Sequence, residues 1–195
     1  SGGAINIKDD TTGVLLGNVN AASLTVNTST DNGSITQDVG TTVVTTNAAL
    51  TNALNAGTGA ITLDNNANNL VGRTDLTGGT VSVKDDTGGL VLGNVSAASL
   101  AVNTGADNGP LSQATGTSVS VTGVTTLNTG TGSITLGNGG NNLVGQVDVT
   151  GGAVSLKDDT GGVVLGNVSA ASLDVNTHAG KGARTPAAGR KEVSG

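Results

Sequence analysis

The chain has 195 residues, a formal net charge of −6 and no Phe, Tyr, Trp, Met or Cys. Aromatic side chains normally bury about 150 to 250 Å² each in a globular core, so their absence argues against a compact globule, and the absence of cysteine rules out disulfides and thiolate chemistry. Only 11% of the residues are charged, which argues against a disordered chain.

Short alternations of apolar and polar residues begin at residues 4–7 and recur along the chain, as expected for strands with one buried face. Glycine- and asparagine-rich segments such as residues 137–142 separate them and predict turns rather than helical crossovers. The paired inward positions recur at steps of mostly 18 to 20 residues and once of 15: Ile5/Ile7, Leu24/Val26, Val43/Thr45, Ile61/Leu63, Val81/Val83, Leu100/Val102, Val119/Val121, Ile134/Leu136, Val154/Leu156 and Leu173/Val175. This all-β pattern predicts a right-handed parallel β-helix of about ten rungs of ~19 residues, because neither a propeller nor a Greek-key sandwich produces that step.

A longer repeat is superimposed on the strand pattern. Residues 84–104 recur with small changes as residues 8–28 and 157–177, and glycine pairs open the copies at Gly2-Gly3, Gly78-Gly79 and Gly151-Gly152. Four rungs per copy predict one β-helix domain over residues 1–177, with long repeats near 2–77 and 78–150 and a partial repeat at 151–177. The second copy is three residues shorter, between residues that match 37 and 63 of the first, which predicts an insertion at a corner of the coil.

Residues 178–195 have a different composition. They contain the only histidine, His178, and four of the eight lysines and arginines. Because apolar periodicity is absent there, we predict a basic, flexible tail, with binding to an acidic surface as the alternative. Four positive charges without aromatic residues do not indicate nucleic-acid binding.

Phrases such as Gly33-Ser34-Ile35-Thr36-Gln37 and Gly152-Ala153-Val154-Ser155-Leu156 resemble the repeat regions of filamentous-haemagglutinin-like exoproteins. These are large bacterial adhesins secreted by two-partner or autotransporter routes. The resemblance covers roughly residues 2 to 177 and implies a right-handed parallel β-helix displayed at the bacterial cell surface, outside the outer membrane. It also implies a non-enzymatic stalk used in adhesion and virulence, with host or cell-surface glycans or proteins as partners.

The candidate chemistry is limited to three pairs of carboxylates, Asp9-Asp10, Asp85-Asp86 and Asp158-Asp159. Such pairs suggest calcium sites or the acid and base of a glycosidase. However, adjacent side chains diverge, a lysine precedes each pair, and the pairs recur only every fourth rung, so two pairs cannot share an ion. We therefore predict solvated turns, and no catalytic, cofactor-binding or metal-binding residue.

Three alternatives to a stalk stay open. A pectate-lyase-like β-helix enzyme would need a base, and the repeats offer only Lys8, Arg73, Lys84 and Lys157. The others are a self-assembling extracellular fibre and an ice-binding solenoid, whose array of threonines would be broken at Ser82. We expect the coil to continue into neighbouring rungs of a longer chain or to associate end to end. We expect no membrane insertion, because no apolar run approaches the roughly 20 residues that a span requires.

Overall fold

A computed structural model describes residues 2–177 and the short strand Thr185–Pro186. The described residues contain strands and turns and no helix. The strands are β1 (Ile5–Lys8), β2 (Gly13–Leu16), β3 (Val19–Ala21), β4 (Leu24–Asn27), β5 (Ser34–Gln37), β6 (Val43–Thr45), β7 (Thr51–Asn55), β8 (Ile61–Leu63), β9 (Asn69–Leu70), β10 (Arg73–Lys84), β11 (Leu90–Asn103), β12 (Leu111–Gln113), β13 (Val119–Val121), β14 (Thr125–Asn128), β15 (Ile134–Leu136), β16 (Asn142–Leu143), β17 (Gln146–Asp158), β18 (Val164–Thr177) and β19 (Thr185–Pro186).

Every pairing between these strands is parallel. The chain coils through about 8 turns with a spacing of ~21 residues, which confirms the predicted right-handed parallel β-helix. Four long strands, β10, β11, β17 and β18, continue through a corner of the coil. Strand β10, for example, pairs with β7 through its first half and with β8 through its second.

Three ladders of inward residues form the walls of the coil. Ladder A contains Ile7, Val26, Leu54, Leu76, Val95 and Val119. Ladder B contains Val14, Ile35, Ile61, Val81, Leu100, Thr125, Val147 and Leu165. Ladder C contains Leu90, Leu111, Ile134, Val154 and Leu173, and the separate sheet β3-β6-β9 completes the wall near the first turns.

The count of ten rungs and the single 19-residue register are wrong. The predicted neighbours Ile5 and Leu24 do pair, as do Val81 and Leu100. However, Leu100 pairs next with Thr125 rather than with Val119. Corner loops of unequal length cause the difference, because consecutive members of one ladder lie 18 to 28 residues apart. Residues at equal spacing in the sequence therefore do not all lie on the same wall.

Matching residues of successive long repeats lie on successive walls of the coil, because the repeat is not a whole number of turns. The matching pairs Ile5–Leu24, Val81–Leu100 and Val154–Leu173 lie on ladders A, B and C, in that order. Three turns separate Ile7 from Leu76 on ladder A, and the residue that matches Ile7, Val83, follows on ladder B. One long repeat therefore spans three full turns plus one further wall, which is a third of a turn. The predicted length was four rungs.

In the interior, aliphatic side chains stack on the side chains at the equivalent positions of neighbouring turns. Ile35, Ile61 and Val81 are successive members of ladder B, and each is 0% exposed. Neighbouring turns lie about 4.8 Å apart, so branched side chains contact directly without an aromatic ring between them. Burial of this apolar surface contributes about 25 cal/mol per Å² to the free energy of folding. This contribution explains how the chain folds without aromatic residues.

Corner loops stack on each other through an asparagine. Asn108 has a φ of 57° and accepts a hydrogen bond at Oδ1 from the Thr131 amide of the next turn, at 2.8 Å. Gly130, beside that amide, has a φ of 60°, and an added Cβ there would overlap Asn108 Oδ1. Asn32 repeats this arrangement one long repeat earlier, where its Oδ1 accepts from the Thr58 amide at 2.8 Å.

Candidate functional site

The first aspartate of the repeated Lys-Asp-Asp turn braces the preceding turn of the coil. Asp85 is fully buried, and its carboxylate accepts hydrogen bonds from the amides of Leu70, at 2.7 Å, and Thr87, at 3.0 Å. Asp158 is buried in the same way and accepts from the Leu143 amide at 2.7 Å. These carboxylates bind backbone donors that have no strand partner at that corner.

The prediction of solvated turns is therefore wrong for two of the three pairs. A strand of the preceding turn lies beneath Asp85 and Asp158, and its free amide draws each carboxylate inward. The prediction of a turn that supports itself is correct for Asp9, which is half-buried and accepts from the Gly13 amide of its own turn at 2.7 Å. No described strand lies beneath Asp9.

The second aspartate of each turn forms an ion pair with the lysine two residues before it. Lys8 and Asp10 are 2.9 Å apart, and Lys84 and Asp86 are 3.4 Å apart. The third pair, Lys157 with Asp159, is separated by 3.3 Å. In the part of the chain that the structure describes, no group of three or more His, Asp or Glu residues is placed to hold a metal ion.

We predict that Asp85 gives the protein a pH dependence. Burial raises the pKa of Asp85 from 3.8 to about 6, against the opposing effect of the Leu70 and Thr87 amides. The folded state therefore favours the protonated acid, so this contribution to the free energy of unfolding is largest below pH 3.8 and is lost as the pH rises to about 6. Thermal melts at several pH values should show the advantage of the wild type over Asp85→Asn shrinking across this window.

Asp9→Asn is the matched control for that measurement. Hydrogen bonds from Thr11 and Gly13 lower the pKa of the Asp9 carboxylate. Its contribution is therefore present above the ordinary pKa of 3.8 and is lost as the pH falls, which is the opposite sign. A wild-type advantage with the same pH trend at both positions would contradict the assignment.

Buried amides form a second brace that the sequence reasoning missed. Asn141 is fully buried, and its Oδ1 accepts from Gln113 Nε2 at 2.7 Å and from the Val119 amide at 2.8 Å. Its Nδ2 donates back to Gln113 Oε1 at 3.0 Å, so the two amides bond reciprocally across a turn. Asn68 and Gln37 form the same pair in the first repeat. The signal available in the sequence was that both residues recur at matching places in the two copies.

The two repeats differ at one buried polar cluster. In the first, Asn52 accepts at Oδ1 from the Leu24 amide at 3.1 Å and donates from Nδ2 to Thr45 Oγ1 at 3.1 Å. Thr125 replaces Asn52 in the second repeat and Val121 replaces Thr45. The Thr125 hydroxyl is buried without a hydrogen-bond partner among the described residues.

We expect Thr125→Val to stabilise the protein by about 1 kcal/mol, because it removes an unsatisfied buried hydroxyl and keeps the shape of the side chain. Thr45→Val is the matched control, since the Thr45 hydroxyl donates to the Val71 carbonyl at 3.0 Å. The same chemical change there should destabilise the protein by about 1 kcal/mol. Urea unfolding measures both, and a loss of stability in Thr125→Val would contradict the prediction.

The outer face of ladder B carries a shallow groove of about 380 Å³. It runs along the coil axis, because its lining comes from outward side chains of successive turns. The lining residues are Asp64, Ser82, Val83, Lys84, Ala101, Val102, Asn103, Thr126 and Asn128.

These features define a class of protein, the β-solenoid built from sequence repeats. A family model described as repeats of unknown function (DUF5649) matches residues 2–77 and 78–150, and the chain belongs to this family. The match gives no family-level link to filamentous-haemagglutinin-like adhesins. Neither the curated proteins nor the solved structures gave a significant match. Within the described residues, no helix is long and apolar enough to cross a membrane.

Proposed function

We propose that this chain is a non-enzymatic structural module, a stiff stalk segment of a filamentous bacterial adhesin. The observation that carries the proposal is the use of buried polar side chains. Asp85, Asp158, Asn68 and Asn141 each bond to the backbone of another turn and brace the coil. Bracing of every repeat suits a load-bearing rod, whereas a β-helix enzyme needs such groups directed into a substrate cleft.

The surface location in this proposal rests on the resemblance of the repeat phrases to filamentous-haemagglutinin-like exoproteins. The module would be secreted or held at the outer membrane and would space or present an adhesive surface. Its partners would be cell-surface glycans or proteins and further coil segments. Another coil segment would pair along the edge of β1 that faces away from β4, where Ile5 and Ile7 are half-buried.

The stiffness of the rod is testable by a distance measurement between two spin labels. The chain has no cysteine, so Leu15→Cys and Thr126→Cys supply the only two labelling sites. Both positions are exposed on the strands of ladder B and are five turns apart. We expect one narrow distribution of distances between the two labels. Its centre corresponds to about 24 Å between the two backbones, and only the reach of the labels widens it. A broad or two-peaked distribution would contradict a stiff stalk.

A further inference from the structure

The groove on ladder B lies between two rows of outward side chains. One row consists of the small residues Ser82, Ala101 and Thr126. The facing row consists of the longer Lys84, Asn103 and Asn128, two residues further along each strand. The rows are about 7 Å apart, and neighbours within a row are about 4.8 Å apart. The floor between them is the backbone around Val83 and Val102, whose side chains point inward.

The polar groups of the groove are held in place by hydrogen bonds to the turns and to each other. Asn103 Oδ1 accepts from the Gly105 amide at 2.9 Å, and Asn128 Oδ1 accepts from the Gly130 amide at 3.0 Å. These bonds fix both side chains at the turn through Oδ1. The turns do not use the two Nδ2 groups, which form a row of hydrogen-bond donors on adjacent strands. Ser82 Oγ donates to Asp64 Oδ1 at 2.7 Å, which orients that carboxylate at one end of the groove.

The charges of the lining balance. Asp64 and Lys84 are its two charged residues, and the Lys84 ammonium also lies 3.4 Å from Asp86. A neutral groove with amide donors, hydroxyls and a carboxylate acceptor suits a ligand that offers both donors and acceptors without charge. Hydroxyl groups on a linear chain have this chemistry.

We propose that this groove binds an uncharged linear oligosaccharide that lies along the axis of the coil. The inference rests on the proposed adhesive stalk and names its ligand class and site. Ala101, with the smallest side chain of its row, is the point of closest approach. The donors at Asn103 and Asn128 and the acceptor at Asp64 bind successive hydroxyls.

The first long repeat supplies an internal comparison on ladder A. The row Lys8, Asn27 and Asn55 there matches Lys84, Asn103 and Asn128. Thr25 stands in the place of Ala101, and Ala53 stands in the place of Thr126. The position of the alanine in the row therefore differs between the two repeats, and the structure assigns the binding site to ladder B because the groove lies there.

The experiment titrates the chain with cellohexaose, xylohexaose and maltohexaose by ligand-observed NMR and calorimetry. We expect the wild type to bind at least one of the three. Ala101→Gln, which fills the groove with a neutral side chain, should weaken that binding by at least about tenfold. Asn103→Asp, which keeps the Oδ1 acceptor for Gly105 and removes the Nδ2 donor, should also weaken it. Thr135→Gln, at an exposed position in β15, should leave the affinity unchanged.

Circular dichroism melts establish that each variant is folded before titration. The proposal is overturned if none of the three oligosaccharides binds the folded wild type at millimolar concentration, or if Ala101→Gln binds as tightly as the wild type. These outcomes are distinct from failure of the stalk proposal, because the distance between the two spin labels does not depend on a ligand.

Discussion

Replacing Leu100 with Asp is expected to unfold several turns of the coil. Leu100 is 1% exposed and lies between Val81 and Thr125 on ladder B. An aspartate there would place an unpaired charge among aliphatic side chains and remove the packing of a buried leucine. We expect a loss of about 4 kcal/mol or more, a large fraction of the 5 to 15 kcal/mol that stabilises a typical domain.

The neighbouring change Ala101→Asp is the control for that prediction. The side chain of residue 101 points outward, because successive residues of a strand face opposite sides. We expect its effect on the free energy of unfolding to stay within about 0.5 kcal/mol. Chemical denaturation of the two variants measures the difference, and equal losses of stability would contradict the assignment of faces.

The alternation of inward and outward residues could be predicted from the sequence because it is local. Leu100 and Val102 were predicted to point inward, and both are 1% exposed. Strand period depends only on backbone geometry and needs no knowledge of the partner strand. The fold class follows from the same information, since short alternating segments joined by glycine-rich turns leave few architectures open.

The register could not be predicted, because it depends on the path of the chain around each corner. Residues 46–50 join β6 to β7, whereas residues 122–124 join β13 to β14 in the matching place of the second repeat. Loops of such different length return the chain to the next wall equally well. A 19-residue period therefore matches Leu100 with Val119, although Val119 pairs with Val95.

The buried aspartates were missed for a related reason. The partner of Asp85 is the Leu70 amide, which lies 15 residues earlier in the chain and one turn away in space. Asp9 stands in the same repeated Lys-Asp-Asp turn and is only half-buried. Local sequence therefore cannot distinguish the two, and the turn beneath decides whether the carboxylate is buried.

One long repeat adds three turns and one further wall, which is a third of a turn, so three repeats add ten whole turns. This count can be tested with a chain in which three further copies of residues 78–150 follow residue 150. The inserted copies should continue the same ladders and rotate by one wall each, returning to the original wall after the third.

Small-angle X-ray scattering of this chain and of the wild type measures the difference directly. At about 4.8 Å per turn, we expect the rod to lengthen by about 48 Å with an unchanged cross-section. Four rungs per repeat would instead lengthen it by about 58 Å. A gain near 58 Å, or a thicker cross-section, would contradict the account.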